Sequence, residues 1–217
     1  MTPHRAVTRK KTQTFYDRIA DVHNFALKLN GYRRSVAKYL RSLELELGPD
    51  SVVLDAGSGT GIVTMSLLDS GFKPKRVVAL DLSYNSLRLS REQFAKKKRY
   101  SNIEGVQGNI LNLPFAENTF DMVMTCGVLE YVNLDDGLKE LSRVLKPNGK
   151  LVLLPVKAGI VGSMLEILYN FKIHPLNDVK RVSTQYFDIV GNHEFPIAEP
   201  ISWSKTIFLL EKKAVQT

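Results

Sequence analysis

The chain has 217 residues, of which 24% are charged and 44% hydrophobic, and this balance indicates an ordinary soluble globular protein with one sizeable core. No apolar run approaches the roughly 20 residues that a membrane span requires, and the first residues lack the apolar stretch of a secretory signal. The formal net charge is +8, and Cys126 is the only cysteine, which excludes an internal disulfide and favours a cytoplasmic location.

The first 47 residues are basic and have a helical pattern. They carry ten Lys or Arg and four acidic residues, which gives a net charge of +6. Apolar residues at three- and four-residue spacing predict one helix over about 14–29, broken by Asn30-Gly31, and a second from Val36 to Leu47, ended by Gly48-Pro49. Such a charge bias suits an anionic partner, and it is also typical of a solvated helical face.

From residue 51 onward, short apolar runs alternate with amphipathic segments. The runs predict strands at SVVLDAG (51–57), RVVALDLS (76–83), NIEGVQGNI (102–110), TFDMVMTCG (119–127) and, after a KPNG turn, GKLVLLPV (149–156). The segments between them predict helices at TGIVTMSLLDS (60–70), SYNSLRLSREQFAKKK (83–98) and LDDGLKELSRVL (134–145). Strands separated by helices of this length indicate βαβ units and a parallel sheet covered on both faces.

The last 60 residues follow a different pattern. GIVGSMLEILYNF (159–171) predicts an apolar helix, 174–180 reads as a polar break, and YFDIVGNHEF (186–195) and WSKTIFLLEKK (203–213) predict two strands without a helix between them. An antiparallel hairpin that closes the sheet is the simplest interpretation. For the apolar helix two interpretations stay open: packing in the core, or contact with a membrane or lipid tail together with the basic front segment.

A glycine-rich turn directly follows the first predicted strand, in VLDAGSGTGIV (53–63). Glycines there let a ligand approach the backbone at the carboxyl end of a strand, where a helix N-terminus presents free N–H groups. The spacing of Gly57, Gly59 and Gly61 is not the G-x-G-x-x-G of dinucleotide sites, since Ile62 holds the third glycine's place, and a P-loop lysine is missing. The turn therefore predicts a nucleoside ligand without a pyrophosphate.

The turn resembles motif I of the class I S-adenosylmethionine-dependent methyltransferases, and further segments match in order: ALDLS (79–83), GNILNLPFAENTFDMVMTCGVLEYV (108–132) and LKELSRVLKPNGKLVLL (138–154). FYDRIADVHN (15–24) resembles the N-terminal signature of the ubiquinone/menaquinone C-methyltransferase and phospholipid N-methyltransferase branch. The resemblance implies an α/β fold with a Rossmann-like, seven-stranded, mostly parallel sheet, helices on both faces and a C-terminal antiparallel hairpin. It also implies a lid of basic helices over the cofactor (1–47) and a methyltransferase core (48–217).

The resemblance implies S-adenosyl-L-methionine as cofactor and a role for each motif residue. Asp81 would accept both ribose hydroxyls, Asp55 would hold the ammonium group directly or through water, and the backbone at 57–59 would pass under the methionyl part. Asn109 stands where the family usually has an acid near adenine, so a plain turn residue is the alternative. The implied contacts are Asp55, Ala56, Gly57, Ser58, Gly59, Gly61, Asp81, Leu82, Asn109, Ile110 and Cys126.

Cys126 admits two interpretations. Some RNA cytosine-5 methyltransferases use a cysteine nucleophile near this strand end, but in a Pro-Cys pair, whereas Thr125 and Gly127 flank the cysteine here. A small buried residue that lines the methionine site is the other interpretation. TCGVLEY also replaces the Asn/Asp-Pro-Pro-aromatic motif of amino-group nucleic-acid methyltransferases, which makes nucleic acid an unlikely substrate.

A general base is needed only for a protonated acceptor, and the candidates are Tyr16, His23, Glu130, Tyr131 and His174. Each has a structural alternative as a lid, exposed-face, helix-end or loop residue. The sequence contains no His/Asp/Glu set with metal-ligand spacing, so no metal is predicted. Residues 14–30 and 157–180 should flank the cofactor crevice and select the substrate.

The sequence thus predicts a methyltransferase acting on a small, hydrophobic acceptor, either a quinone precursor or an amino-phospholipid, with peripheral contact to an anionic membrane as a further hypothesis. An RNA methyltransferase and a non-catalytic methyltransferase-fold partner subunit are the alternatives. The first follows from the basic charge, and the second from the fact that a fold does not prove a function. The oligomeric state does not follow from the sequence.

Overall fold

The structure is a computed structural model that describes residues 31–43, 45–96 and 100–214. Seven strands form one sheet: β1 (Val52–Ala56), β2 (Arg76–Asp81), β3 (Ile103–Gln107), β4 (Phe120–Cys126), β5 (Leu145–Leu154), β6 (Phe187–His193) and β7 (Ile207–Lys212). The α-helices are α1 (Tyr32–Ser42), α2 (Ile62–Asp69), α3 (Tyr84–Phe94), α4 (Leu134–Val144), α5 (Ile160–Tyr169) and α6 (Leu176–Ser183).

The strand order is β3-β2-β1-β4-β5-β7-β6. The first five strands in this order run parallel, and β7 pairs antiparallel with both β5 and β6. The order reverses between β1 and β4, and in open α/β sheets a ligand crevice lies at such a point. The predicted Rossmann-like sheet with a C-terminal antiparallel pair is therefore confirmed.

Alternate residues of the central strands enter two separate cores. Val53 and Val77 face one cluster together with side chains of α1 and α2, whereas Leu54 and Val78 face the other together with α4 and α6. All four side chains are essentially inaccessible to solvent. Burial on both faces explains why these strands are continuous apolar runs instead of alternating polar and apolar positions.

The structure corrects two predicted segments. The second helix ends at Ser42 and not at 47, because Leu43 is already extended. The predicted polar break at 174–180 contains most of α6, which begins after Pro175 and buries Val179 and Val182. Proline suits a helix N-terminus, because the amide that it lacks would have no partner there.

Two further predicted segments differ at their ends. The KPNG turn lies inside β5, which begins at Leu145, and the register to β4 shifts there between Phe120 and Met122. The last strand begins at Ile207 and not at Trp203, because Pro200–Trp203 forms a short 3-10 helix. That helix brings its side chains to the crevice at the carboxyl ends of the parallel strands.

The apolar helix α5 does not pack as a core helix. Ile160 and Ile167 are 85% and 83% exposed, and Met164 and Leu168 are also exposed, so the core interpretation is wrong for this face. Val161 and Leu165 turn toward the crevice instead. Within the three described stretches of chain, a helix both long and apolar enough to cross a bilayer does not occur.

Candidate functional site

A cavity of about 310 Å³ lies at the carboxyl ends of β1, β2, β4 and β5. The glycine turn and the residues after β2 and β3 form one wall. Apolar side chains from α5 and the 3-10 helices form the other. Of the residues predicted as contacts, those that line the cavity are Gly57, Ser58, Gly59, Asp81, Leu82, Asn109, Ile110, Cys126 and Tyr131.

The glycine turn is held close to its neighbours at two points. A Cβ on Gly57 would lie 2.1 Å from Val128 Cγ2, and one on Gly61 would lie 2.4 Å from Phe94 Cζ. Both residues also have positive φ angles, 78° and 84°, that side chains disfavour. A Cβ on Gly59 would meet nothing within 4 Å, so this residue faces open cavity. Gly57 and Gly61 are therefore needed to shape the turn, and Gly59 leaves room for a ligand.

Asp81 connects the glycine turn to the end of β2. Its Oδ2 accepts a hydrogen bond from Gly59 N at 2.8 Å, and its Oδ1 accepts one from Ser83 N at 2.8 Å. Ser83 caps α3 by accepting from Ser86 N. Asp81 therefore does not cap the helix with its side chain. Asp81 itself borders the cavity, and each carboxylate oxygen can accept more than one hydrogen bond.

Asp55 lies behind the turn and does not line the cavity. Its Oδ2 accepts from Thr64 N at 3.0 Å and Thr64 Oγ at 2.5 Å, whereas its buried Oδ1 has no hydrogen-bond partner among the described residues. Burial raises the pKa of Asp55 to about 7, against the opposing effect of the Thr64 hydrogen bonds. The buried Ser58 Oγ also lacks a partner in the described part of the chain. A buried acceptor without a donor is rare, so this point of the turn suits a donating group or a water.

The turn after β3 forms the far end of the same wall. Asn109 Oδ1 accepts from Leu111 N at 3.1 Å, so its side chain does hold a turn, and the residue also borders the cavity. Ile110 is buried beside it and supplies an apolar surface. The two remaining predicted contacts do not line the cavity. Ala56 is buried at the end of β1, and Gly61 lies against the ring of Phe94.

Two of the predicted bases are occupied elsewhere. Glu130 is buried and accepts from Val156 N at 2.5 Å, and His174 Nε2 donates to Leu129 O at 3.0 Å. Neither residue lines the cavity, so the structure does not support them as bases. Tyr131 does line it, with its hydroxyl donating to Tyr169 O at 3.2 Å. Tyr16 and His23 lie outside the described residues.

Two polar residues of the cavity, Tyr32 and Lys205, were missed by the sequence analysis. Tyr32 OH and Cys126 Sγ share a hydrogen bond of 2.6 Å, and Lys205 reaches the cavity from the segment before β7. Burial raises the pKa of both Tyr32 and Cys126. The sequence offers one signal for Lys205, which is a cation within the largely apolar segment WSKTIFLL. That signal is weak, because an ordinary strand with alternating buried and exposed residues has the same pattern.

The chain is similar in sequence to known methyltransferases. Residues 54–153 match the family model described as "Methyltransferase domain". A demethylmenaquinone methyltransferase of Corynebacterium urealyticum is 30% identical over 177 residues, which cover 80% of this chain and 71% of that protein. An uncharacterised protein of Methanocaldococcus jannaschii is 33% identical over 212 residues, which cover 91% and 87% of the two chains.

Among solved structures, geranyl diphosphate C-methyltransferase from Streptomyces coelicolor, in complex with Mg²⁺, geranyl diphosphate and S-adenosyl-L-homocysteine, is similar in fold. Its TM-score is 0.67 at 18% identity, over 81% of this chain and 78% of that one. The described residues contain no group of three or more His, Cys, Asp or Glu side chains placed to hold a metal ion. Independence of a metal stays a prediction.

Proposed function

Because the chain belongs to the class I S-adenosylmethionine-dependent methyltransferases, we propose that it methylates a carbon of a hydroxylated aromatic ring, as in a reduced quinone precursor. The observation that carries this proposal is the second wall of the cavity, which consists almost entirely of apolar and aromatic side chains. These are Val128, Val132, Val156, Val161, Leu165, Tyr169, Phe171, Ile201 and Trp203. The relatives named as demethylmenaquinone methyltransferases act on an acceptor of this kind.

The residues of the first wall fit S-adenosyl-L-methionine. Asp55 Oδ1 is buried behind the glycine turn and would accept a hydrogen bond from a water that bridges to the ammonium group. Asp81 would offer its carboxylate to the ribose, and Ile110 would offer an apolar surface to the adenine. The bound cofactor supplies an activated methyl group, so the chemistry itself does not require a protein nucleophile. Cys126, which is hydrogen-bonded to Tyr32, is accordingly assigned to the cavity wall.

The chain's own contribution is orientation and exclusion of water. The apolar wall would hold a flat ring against the glycine turn, and alignment of this kind is worth up to about 7–11 kcal/mol in the best cases. Tyr131 borders the cavity beside that wall, so it is the remaining described candidate for contact with the acceptor. The lid proposed for residues 1–47 includes α1, but α1 itself packs on α2 and contributes Val36 and Leu40 to the core.

The test is transfer of a radiolabelled methyl group to demethylmenaquinol with a short prenyl tail. Parallel reactions contain an amino-phospholipid or total RNA in place of the quinol. We expect label in the quinol, because the cavity wall matches an apolar ring. Label in the phospholipid or in RNA instead would replace the proposed acceptor class, and the absence of transfer to all three would favour a partner-subunit role.

We further propose that α5 contacts an anionic membrane from which a lipid-tailed acceptor enters the cavity. The exposed Ile160, Met164, Ile167 and Leu168 form one face of α5, and Val161 and Leu165 on the same helix line the cavity. The net charge of +8 favours an anionic bilayer as the occupant of that face.

Vesicle flotation tests this contact. We expect binding to vesicles with anionic lipid, weaker binding at high salt, and at least about a tenfold loss in the double variant Ile160→Ser/Ile167→Ser, because each exposed side chain would bury apolar surface. Val190→Ser, a change at an exposed residue of β6, is the matched control and should bind normally. Equal binding to neutral vesicles would rule out the electrostatic part of the proposal.

A further inference from the structure

Lys205 is a buried cation in the wall of the cavity. The residue is only 7% exposed, and none of the described carboxylates lies within ion-pair distance of its ammonium group. Its one hydrogen bond is from Nζ to Leu154 O, at the limiting distance of 3.5 Å. The backbone is fixed, since Lys205 N donates to Ile201 O at 2.9 Å and Lys205 bridges to Val156. The side chain is therefore held at the cavity without an ion pair to any described residue.

The groups around the ammonium are mostly neutral. A Cβ on Gly127 would lie 3.0 Å from Nζ, which places the cation beside the loop after β4. Cys126 and Tyr32 face the same region, and burial raises the pKa of each, so both stay protonated near neutral pH. The negative charges of Asp55 and Glu130 also raise the pKa of Tyr32, although neither carboxylate forms an ion pair with Lys205. Glu130 already accepts a hydrogen bond from Val156 N.

A buried charge without a nearby counterion is unfavourable, because an opposite charge or several hydrogen bonds must replace the hydration that is lost on transfer from water. A single long bond to Leu154 O does not provide that replacement. A methionine, whose side chain is one atom shorter, would fill most of the space without that cost. The lysine is therefore better explained by an anion that arrives with a ligand than by the stability of the fold.

We propose that Lys205 binds the ionised ring hydroxyl of the acceptor and thereby selects phenols and enols over neutral rings. This inference rests on the proposed function. The hydroxyl proton leaves to solvent, and the ammonium stabilises the negative oxygen that remains. An ionised oxygen donates electron density to the ring carbon next to it, which makes that carbon a better nucleophile. Lys205 is a binding and specificity-determining residue in this scheme and does not move a proton itself.

The probe for this role is 4-nitro-1-naphthol, whose absorbance reports ionisation, titrated with the full-length protein in the presence of S-adenosyl-L-homocysteine. We expect the wild type to lower the pKa of the bound probe by about one unit or more and to bind it about tenfold more tightly than its methyl ether, as for a charge-assisted bond. Lys205→Met should lose both effects. Lys157→Met changes a nearby lysine that pairs with Glu194, and it should retain both.

Thermal unfolding separates binding from a structural role. Because Lys205→Met removes an unpaired buried charge, we expect an unchanged or higher Tm, whereas a residue needed for packing would lower it. The wild type alone provides a test that needs no variant, since an unshifted pKa of the bound probe overturns the inference. Binding of the ionised probe to Lys205→Met with the affinity of the wild type would also overturn it.

The outcome is also distinguishable from that of the methyl-transfer assay. Lys205-dependent binding of the probe without transfer to the quinol would reject the proposed acceptor and keep the role of Lys205. Transfer by Lys205→Met with wild-type KM and an unchanged pH profile would reject the role of Lys205 and keep the acceptor.

Discussion

Replacing Asp81 with alanine is expected to weaken binding of S-adenosyl-L-homocysteine by about tenfold to 100-fold, measured by titration calorimetry. The physical reason is the loss of charge-assisted hydrogen bonds, which contribute about 1.5–3 kcal/mol each. The carboxylate also holds Gly59 N and Ser83 N, both at 2.8 Å, so its removal loosens the turn as well as the ribose contact.

A ligand lacking the ribose hydroxyls separates the two contributions. If Asp81 binds those hydroxyls, Asp81→Ala should weaken binding of the 2′,3′-dideoxy analogue much less than binding of S-adenosyl-L-homocysteine, because only the loosening of the turn remains. Asp121→Ala is the matched control, since Asp121 has comparable bonds from Lys146 and Val52 N but lies at the opposite end of the sheet. If Asp81→Ala weakens binding of the dideoxy analogue as much as binding of S-adenosyl-L-homocysteine, Asp81 acts only by holding the turn.

The second large effect concerns Asp55 and the dependence of stability on pH. Its pKa in the folded protein is about 7, against 3.8 for an ordinary aspartate, because burial disfavours the charged form. Between these pH values the unfolded chain releases the proton and the folded chain keeps it. The free energy of unfolding should therefore fall as pH rises from about 4 to 7, by on the order of 4 kcal/mol, and then level off.

Urea unfolding of Asp55→Asn between pH 4.5 and pH 8 checks this expectation. The amide has no charge to bury, so the variant should gain stability relative to wild type as pH rises. Asp121→Asn should show no such gain over this range, because the stability that Asp121 contributes is lost only as pH falls through its lowered pKa, below 3.8. Burial alone would raise the pKa of Asp121, but hydrogen bonds from Lys146 and Val52 N lower it, so its contribution is present at neutral pH and is lost on acidification. Parallel curves for wild type and Asp55→Asn would mean that Asp55 is not protonated in the fold.

The sheet and the first wall of the cavity, which the glycine turn and the residues after β2 and β3 form, could be predicted from the sequence because their signals are local. The apolar runs of β1 and β2, the glycine turn and Asp81 each stand in a short window with an unambiguous period or spacing. The branch of the family that the N-terminal match suggested is supported on its quinone side by relatives that are named demethylmenaquinone methyltransferases.

The other wall of the cavity could not be predicted, because it depends on contacts between distant segments. Tyr32 meets Cys126 across 94 residues, and Lys205 reaches Leu154 across 51. Glu130 and His174 have suitable chemistry for a base, but only the fold reveals that Val156 N and Leu129 O already occupy them. The period of α5 likewise did not show that its apolar face is exposed, since a buried and an exposed apolar helix have the same pattern.

The position of β7 between β5 and β6 also constrains the order of events during biosynthesis. One edge of the apolar strand β5 stays unpaired on the ribosome until residues 207–212 have emerged, and Lys205 arrives only just before them. An open apolar edge is a template for wrong pairing with other chains. A nascent chain stalled before this point would thus have the complete glycine turn and β1–β5 but an aggregation-prone edge and half of the cavity.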